Sequence, residues 1–191
     1  MPNAATESLN FEFPELDGKA RLRELILYIS QKCCDDPTFS ATKLNKILFY
    51  ADFYSYFRHG TPVTGVEYMK LPNGPAPRPL VPIRDQMEKD KDIAIQKKAY
   101  FKYVQHRICP LRDPDTTAFS APDILMVDEA IDMLRGKSSK EVSEESHGRA
   151  WRIAKDEESI PYEAIFLSDD DGLTDNEMAH LKALNQEYGW E

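Results

Sequence analysis

This 191-residue chain is poor in the features that announce most protein classes. It has three cysteines, Cys33, Cys34 and Cys109, an odd number that includes an adjacent pair. That argues against a disulfide framework and for a reducing, cytoplasmic setting. Adjacent cysteines also lack the two-to-four-residue gap that structural zinc sites favour, so no metal is expected. No apolar run approaches the ~18 residues a membrane span needs. The first residues, MPNAATESLNFEF, have neither a basic nor an apolar signal region, so a secretory signal is not expected. Basic residues are in deficit: 24 Lys and Arg against 33 Asp and Glu give a net charge of −9. Residues 1–139 balance, with 19 of each sign, so the whole excess falls in residues 140–191. An acidic end repels nucleic acid and attracts a basic partner, although it also serves simply as a solvated surface.

Catalytic signatures are missing as well. There is no phosphate-binding loop, no dinucleotide fingerprint, no nucleophile elbow and no zinc-protease helix, and no cofactor is expected. The most suggestive histidine is His147, in Glu144-Glu145-Ser146-His147 with Trp151 one helical turn on. A hydrolase using His147 and a carboxylate is the enzymatic alternative. Against it, Ser146 and His147 point to different sides of a helix. The simpler expectation is that His147 bonds a buried backbone group and Trp151 packs beside it.

What the chain does have is one aromatic-rich helix pattern. Ser40 is a good N-cap. Leu44, Ile47, Leu48, Ala51 and Ser55 share a face, and Phe49, Tyr50, Phe53, Tyr54, Tyr56 and Phe57 fill much of the rest. Gly60 and Pro62 end it. A helix apolar nearly all round is buried on several sides, so this one is read as central. Asp52 on it needs a partner, because an isolated buried charge is expensive. Lys43, Lys46, Arg58, Lys70 and Arg78 are the candidates.

Around it the chain reads as follows. Residues 1–18 form an N-terminal extension, with Asp17 a candidate cap and the phenylalanines its docking points. Lys19–Cys34 is an amphipathic helix. A helix-turn-helix DNA reader is disfavoured, because the second helix is crowded with aromatics instead of presenting a basic face. Val66–Leu71 is a short strand, and Pro72–Pro77 a stiff turn linking it to a helix over Leu80–Lys91. Lys97–Leu111 alternates like one strand, which with Val66–Leu71 suggests a small antiparallel sheet. Lys97–Arg112 carries five basic residues that resemble a nucleic-acid platform, but they are better read as a solvated face. Ser120 caps a helix through Arg135. Ser138 or Ser139 caps a shorter one to about His147, and Trp151–Lys155 extends it. Asp169–Gly172 is a polar loop, and a Thr174–Glu177 capping box opens a last helix to about Tyr188.

Two segments carry a family likeness. They are Lys43–Phe53 with Thr64–Arg78, including Gly65, Tyr68, Gly74 and Pro75, and a later piece with Ser143, Ser146, His147, Trp151 and Ile160-Pro161-Tyr162. Together they resemble the Panacea domain, the SocA-like antitoxin or phage-associated family, over roughly residues 20–165. The likeness implies a prokaryotic or phage antitoxin that neutralises a cognate protein toxin by direct binding and is not an enzyme. It also implies, as an alternative, a proteolytic adaptor that delivers a bound toxin to a protease. Lys43, Leu44, Tyr50, Asp52, Gly65, Gly74, Pro75, His147 and Trp151 become structural motif residues. Tyr56, Arg58, Tyr68, Lys70 and Arg78, near the stiff turn, become candidate partner contacts.

The expected fold is α+β, mainly α: a single domain with a central buried helix and a small antiparallel sheet. Its expected parts are the extension (1–18), the antitoxin-like domain (19–167), and an acidic loop and C-terminal helix packed on it (168–191). The expected partners are a toxin and a protease in the adaptor reading, with no nucleic acid and no membrane. A homo-oligomer is left open.

Overall fold

Helix α2 (Ala41–His59) runs through the middle of the chain's core, with ten of its nineteen residues buried. Ser40 caps it by accepting a hydrogen bond from the Lys43 amide, and Gly60 closes it in the left-handed conformation. The computed structural model describes residues 9–100 and 103–167; of Tyr100 and Tyr103 it describes the backbone alone. The acidic loop and last helix expected beyond Leu167 lie outside the described residues.

Helix α1 (Gly18–Lys32) buries Leu22, Leu25, Ile26 and Ile29, the face its periodicity marks. Asp17 occupies its N-cap position, but at φ 45° its side chain makes no capping bond, so the expected cap is absent. Helix α3 (Leu80–Lys89) is short and mostly exposed. Helix α4 (Ala121–Leu134) packs along α2 and opens with a reciprocal Ser120–Asp123 capping box. Helix α5 (Ser139–Glu145) is opened by the equivalent Ser138–Glu141 pair. Gly148 breaks the run, so α6 (Arg149–Ile153) is a separate helix and not an extension of α5. No helix among the described residues is long and apolar enough to cross a membrane.

The strands form two sheets. In the first, β1 (Tyr68–Leu71) lies between β2 (Gly74–Pro77) and β5 (Ser159–Ile160), all antiparallel. The second is a two-stranded ladder of β3 (Ile93–Tyr100) and β4 (Tyr103–Pro110), with Ile93 opposite Pro110. This corrects two expectations. Lys97–Leu111 is not one strand but the parts of two, which pair with each other and not with β1. Alternation ran across the break because no Gly, Pro or Asn marks it. Nor is Pro72–Pro77 a free turn. Only Pro72-Asn73 turns, and Gly74–Pro77 is a strand buried at every residue.

Prolines are tolerated in β2 because it is an edge strand. Pro75 and Pro77, two apart, direct their missing N–H groups to the same side. The Pro75 carbonyl on that side faces away from β1 and accepts from Lys46 Nζ at 2.8 Å. The strand therefore sacrifices no ladder bond to β1 at these residues. Basic residues of β4 are not all solvated either. Arg107 donates to the carbonyls of Asp36 (2.8 Å) and Cys34 (3.0 Å), in the turn that follows α1.

The N-terminal segment is docked. The Phe13 amide donates to Gly65 O (2.8 Å), and its ring meets Tyr56 and Tyr162 edge-on. Phe53, Tyr68 and Tyr162 continue that aromatic cluster into the core.

Candidate functional site

Two buried polar nodes flank α2 where the β1–β2 hairpin crosses it. The first is Asp52, fully buried. Its carboxylate accepts from the Thr64 amide (2.5 Å), the Thr64 hydroxyl and the Tyr68 hydroxyl (2.8 Å). None of the cations expected to neutralise it is a partner, which corrects that reading: Lys43 pairs with Asp36 (2.9 Å) and Arg58 with Glu129 (2.7 Å). Burial outweighs the three hydrogen bonds and pushes the Asp52 carboxyl up to about 6. The node ties the helix to the Thr64–Tyr68 segment. Gly65 in that segment sits at φ +73° with Phe13 so close that a Cβ would lie 2.7 Å from the phenylalanine's own.

The second node is Lys46, 1% exposed, which donates to Pro75 O. Burial lowers its ammonium to about 7. Gly74, at φ +94°, leaves the room it occupies: a Cβ there would overlap Ser146 Oγ and come within 2.6 Å of Lys46 Nζ. Ser143 Oγ donates to Asn73 O (2.8 Å) and Trp151 Nε1 to Leu71 O (2.9 Å), so α5 and α6 grip both ends of the Pro72-Asn73 turn.

His147 stacks flat on Trp151, ring centroids 3.7 Å apart, and Lys70 Nζ lies over the same indole at 4.4 Å. The expected backbone bond from His147 is not made: its buried Nε2 has no hydrogen-bond partner. Ser146 Oγ donates to Ser143 O, not to His147. Burial, then the Lys46 charge, lower the His147 imidazolium below its ordinary value. Among the described residues no group of three or more His, Cys, Asp or Glu is placed to hold a metal.

The candidate contact residues are dispersed. Tyr68 is completely buried, so it presents no surface to a partner. Tyr56 is half-buried and donates to Glu163 (2.8 Å). Lys70 donates to Ala154 O, and Arg78 to Glu157 O and Ser159 Oγ, so both fasten the β1–β2 hairpin to the 154–159 segment that leads into β5. Arg58 lies elsewhere, with Glu129 of α4. Tyr50 is at the edge of burial, where a cleft of about 240 Å³ runs between it, Tyr54, Pro75, Glu145 and Trp151. Leu44 is core. Lys46, expected only as one of five possible partners of Asp52, instead holds the hairpin through Pro75 O. The one signal was a lysine in an apolar helix three residues after another.

A family model described as antitoxin SocA-like, Panacea domain, matches residues 44–152, more than half of the chain. The chain belongs to the SocA-like antitoxin family. The matched region runs from α2 to α6 and so contains both nodes, the hairpin and the His147–Trp151 stack. It is narrower than the 20–165 span of the sequence likeness and leaves out α1 and β5. Neither the curated proteins nor the solved structures yield a match. Within the SocA-like domain, the motif polar groups face one another and the backbone. They act as fasteners between α2, the hairpin and α5–α6.

Proposed function

We propose that this chain is an antitoxin that neutralises a cognate protein toxin by direct contact, without catalysis. Membership of the SocA-like antitoxin family carries this reading. The site geometry supports it. Its hydroxyls, ammonium and carboxylate are spent on backbone and on each other, and no His147–hydroxyl pair is formed. Of the candidate set, Arg58 and Arg78 are exposed but lie apart, and the toxin-contacting surface is centred on Arg58 with Tyr56, two residues before it; Arg78 and Lys70 form a second, separate candidate contact. Tyr68 acts from within as a fastener. Phe57 and Phe166, 56% and 59% exposed with rings 5.6 Å apart, extend the surface beside Tyr56. Aromatic and arginine side chains are the usual anchors of protein interfaces.

The test is toxin neutralisation on co-expression with the toxin encoded beside this chain. Arg58→Ala with Phe57→Ala is expected to weaken protection at least tenfold in toxin dose while leaving the melting temperature near wild type. A folded double variant that protects fully overturns the surface assignment. His147→Ala, if folded, is expected to protect; a folded variant with no protection and intact toxin binding would instead restore the hydrolase alternative.

A further inference from the structure

Among the described residues ten large apolar side chains are exposed, and six of them gather in one area, between 37% and 68% exposed. Leu9, Phe11, Ile153 and Leu167 line a groove of about 520 Å³, together with Ile160 and Ala164. The extension, α6, β5 and the 162–166 turn make its walls. Phe166, next to Leu167 in the chain, carries the apolar surface on to its ring neighbours Phe57 and Tyr56. The groove is thus continuous with the surface proposed to meet the toxin. An exposed apolar patch rimmed by polar groups marks an interaction site.

The charges along the groove are of one sign. Glu158 and Glu163 line it. Past Leu9, Phe11 and Ser159 it opens into a shallower recess that adds Glu12 and Glu67. Among the described residues that line the two parts, none is a lysine, arginine or histidine. Glu67 pairs with Arg78 (3.1 Å). Glu158 and Glu163 are held by neutral donors. Glu158 accepts from the Lys155 amide (2.5 Å), and Glu163 from the Asn10 amide (2.9 Å) and the Tyr56 hydroxyl (2.8 Å). Hydrogen bonds of this kind favour the charged carboxylate and do not cancel its charge.

That sign selects the occupant. In a two-fold pair through this face the glutamates would oppose their own copies, and like charges set against each other suppress association. Residues 168–191 hold seven acidic side chains and one lysine, Lys182, so the chain's own end carries the repelled sign as well.

We infer that the groove receives a segment of the toxin that is apolar on one face and basic beside it. Its apolar residues pack against Phe11, Ile153 and Leu167, and its lysine or arginine heads reach Glu12, Glu158 and Glu163. Long basic side chains suit the place, because their aliphatic stems cover apolar surface while the charged heads stay at the rim. The inference rests on the antitoxin reading and adds the chemistry of the toxin segment to it. Apart from Ala150, the residues lining the groove lie outside the matched range 44–152. Recognition can therefore be tuned here without disturbing the fasteners of the shared domain.

The test uses the full chain and the toxin encoded beside it. Leu9→Asp with Ile153→Asp is expected to weaken toxin binding about tenfold, with the melting temperature near wild type because both side chains are more than half exposed. Glu12→Lys with Glu158→Lys is expected to weaken it about tenfold and to reduce its loss on adding salt. Tighter binding by the lysine variant would make the occupant acidic and refute the inference. A folded Leu9→Asp, Ile153→Asp chain that binds toxin like wild type, while Phe57→Ala with Arg58→Ala does not, overturns the groove and leaves the antitoxin reading standing. A wild-type chain that neither binds nor neutralises the toxin overturns both. Occupancy is read separately by maleimide labelling of Ile153→Cys, with Cys34 and Cys109 replaced by serine and the buried Cys33 kept. Labelling is expected to be fast in the chain alone and several-fold slower with toxin bound. Slow labelling in the chain alone would mean that its own end covers the groove, and labelling that slows as the chain is concentrated would put a second copy there; either result refutes the inference.

Discussion

At the residue scale, two buried ionisable groups contribute pH dependence in opposite directions. Asp52 has its carboxyl raised to about 6, above the ~4 of an unfolded chain. The native state therefore holds a proton more tightly than the unfolded one. The stability this contributes is complete below about pH 4 and is lost as pH rises through 6. Asp52→Asn lacks the titration. The stability of wild type relative to Asp52→Asn is thus expected to be greatest near pH 4 and to shrink up to about pH 6, as measured by urea unfolding at each pH. Asp52→Ala strands the Thr64 and Tyr68 donors and is expected to cost roughly 3 kcal/mol or more. Lys46 is the mirror case. Its ammonium is lowered to about 7, so the native state binds its proton less tightly. Its contribution is complete above the unfolded value of ~10.4 and is lost as pH falls through 7. Lys46→Met is expected to flatten the rise in stability between pH 7 and 10. A parallel wild-type and variant profile over that window would show that the ammonium is not held out of water as described.

At the element scale, the β1–β2 hairpin is the part most sensitive to small change. Gly74 at φ +94° leaves no room for a methyl group between Ser146 and Lys46. Gly74→Ala combines backbone strain with a clash, and ~2–3 kcal/mol is expected from chemical denaturation. Gly60, also at positive φ, has nothing within 4 Å of an added Cβ. Gly60→Ala is expected to cost less, about 1 kcal/mol, from strain alone. Caps form a milder class. Ser120→Ala removes half of a capping box on α4 and is expected to cost about 1 kcal/mol.

At the scale of the whole molecule, the candidate contact residues divide by depth. Tyr68→Ala removes a fully buried ring that touches Phe49, Phe53 and Tyr162, and 3–5 kcal/mol of destabilisation is expected, roughly. Arg78→Ala removes exposed contacts to Glu67 and the 157–159 segment, and its effect on the melting temperature is expected to be small. If Tyr68→Ala also abolishes neutralisation, that loss should follow its unfolding and be recovered by lowering temperature. A loss from Arg78→Ala should not.

The sequence by itself determined helices α1 to α5 and the family. Ser40, Ser120 and Ser138 cap where their hydroxyls predict, and apolar periodicity marks the buried faces of α1, α2 and α4, because caps and periodicity are local. The Thr-Gly, Gly-Pro and His-Trp motifs were legible as a likeness without any knowledge of what they touch. Only the tertiary structure decided the pairings. It put Gly74-Pro75 in a buried edge strand, because Lys46, 29 residues away in sequence, supplies the hydrogen bond that the strand's outer side lacks. It gave Asp52 hydroxyl and amide partners in place of a lysine, and sank Tyr68 beneath the surface it was expected to form. Which donor meets which acceptor depends on how helix and hairpin cross, and contacts between residues far apart in the chain leave no periodic trace in it.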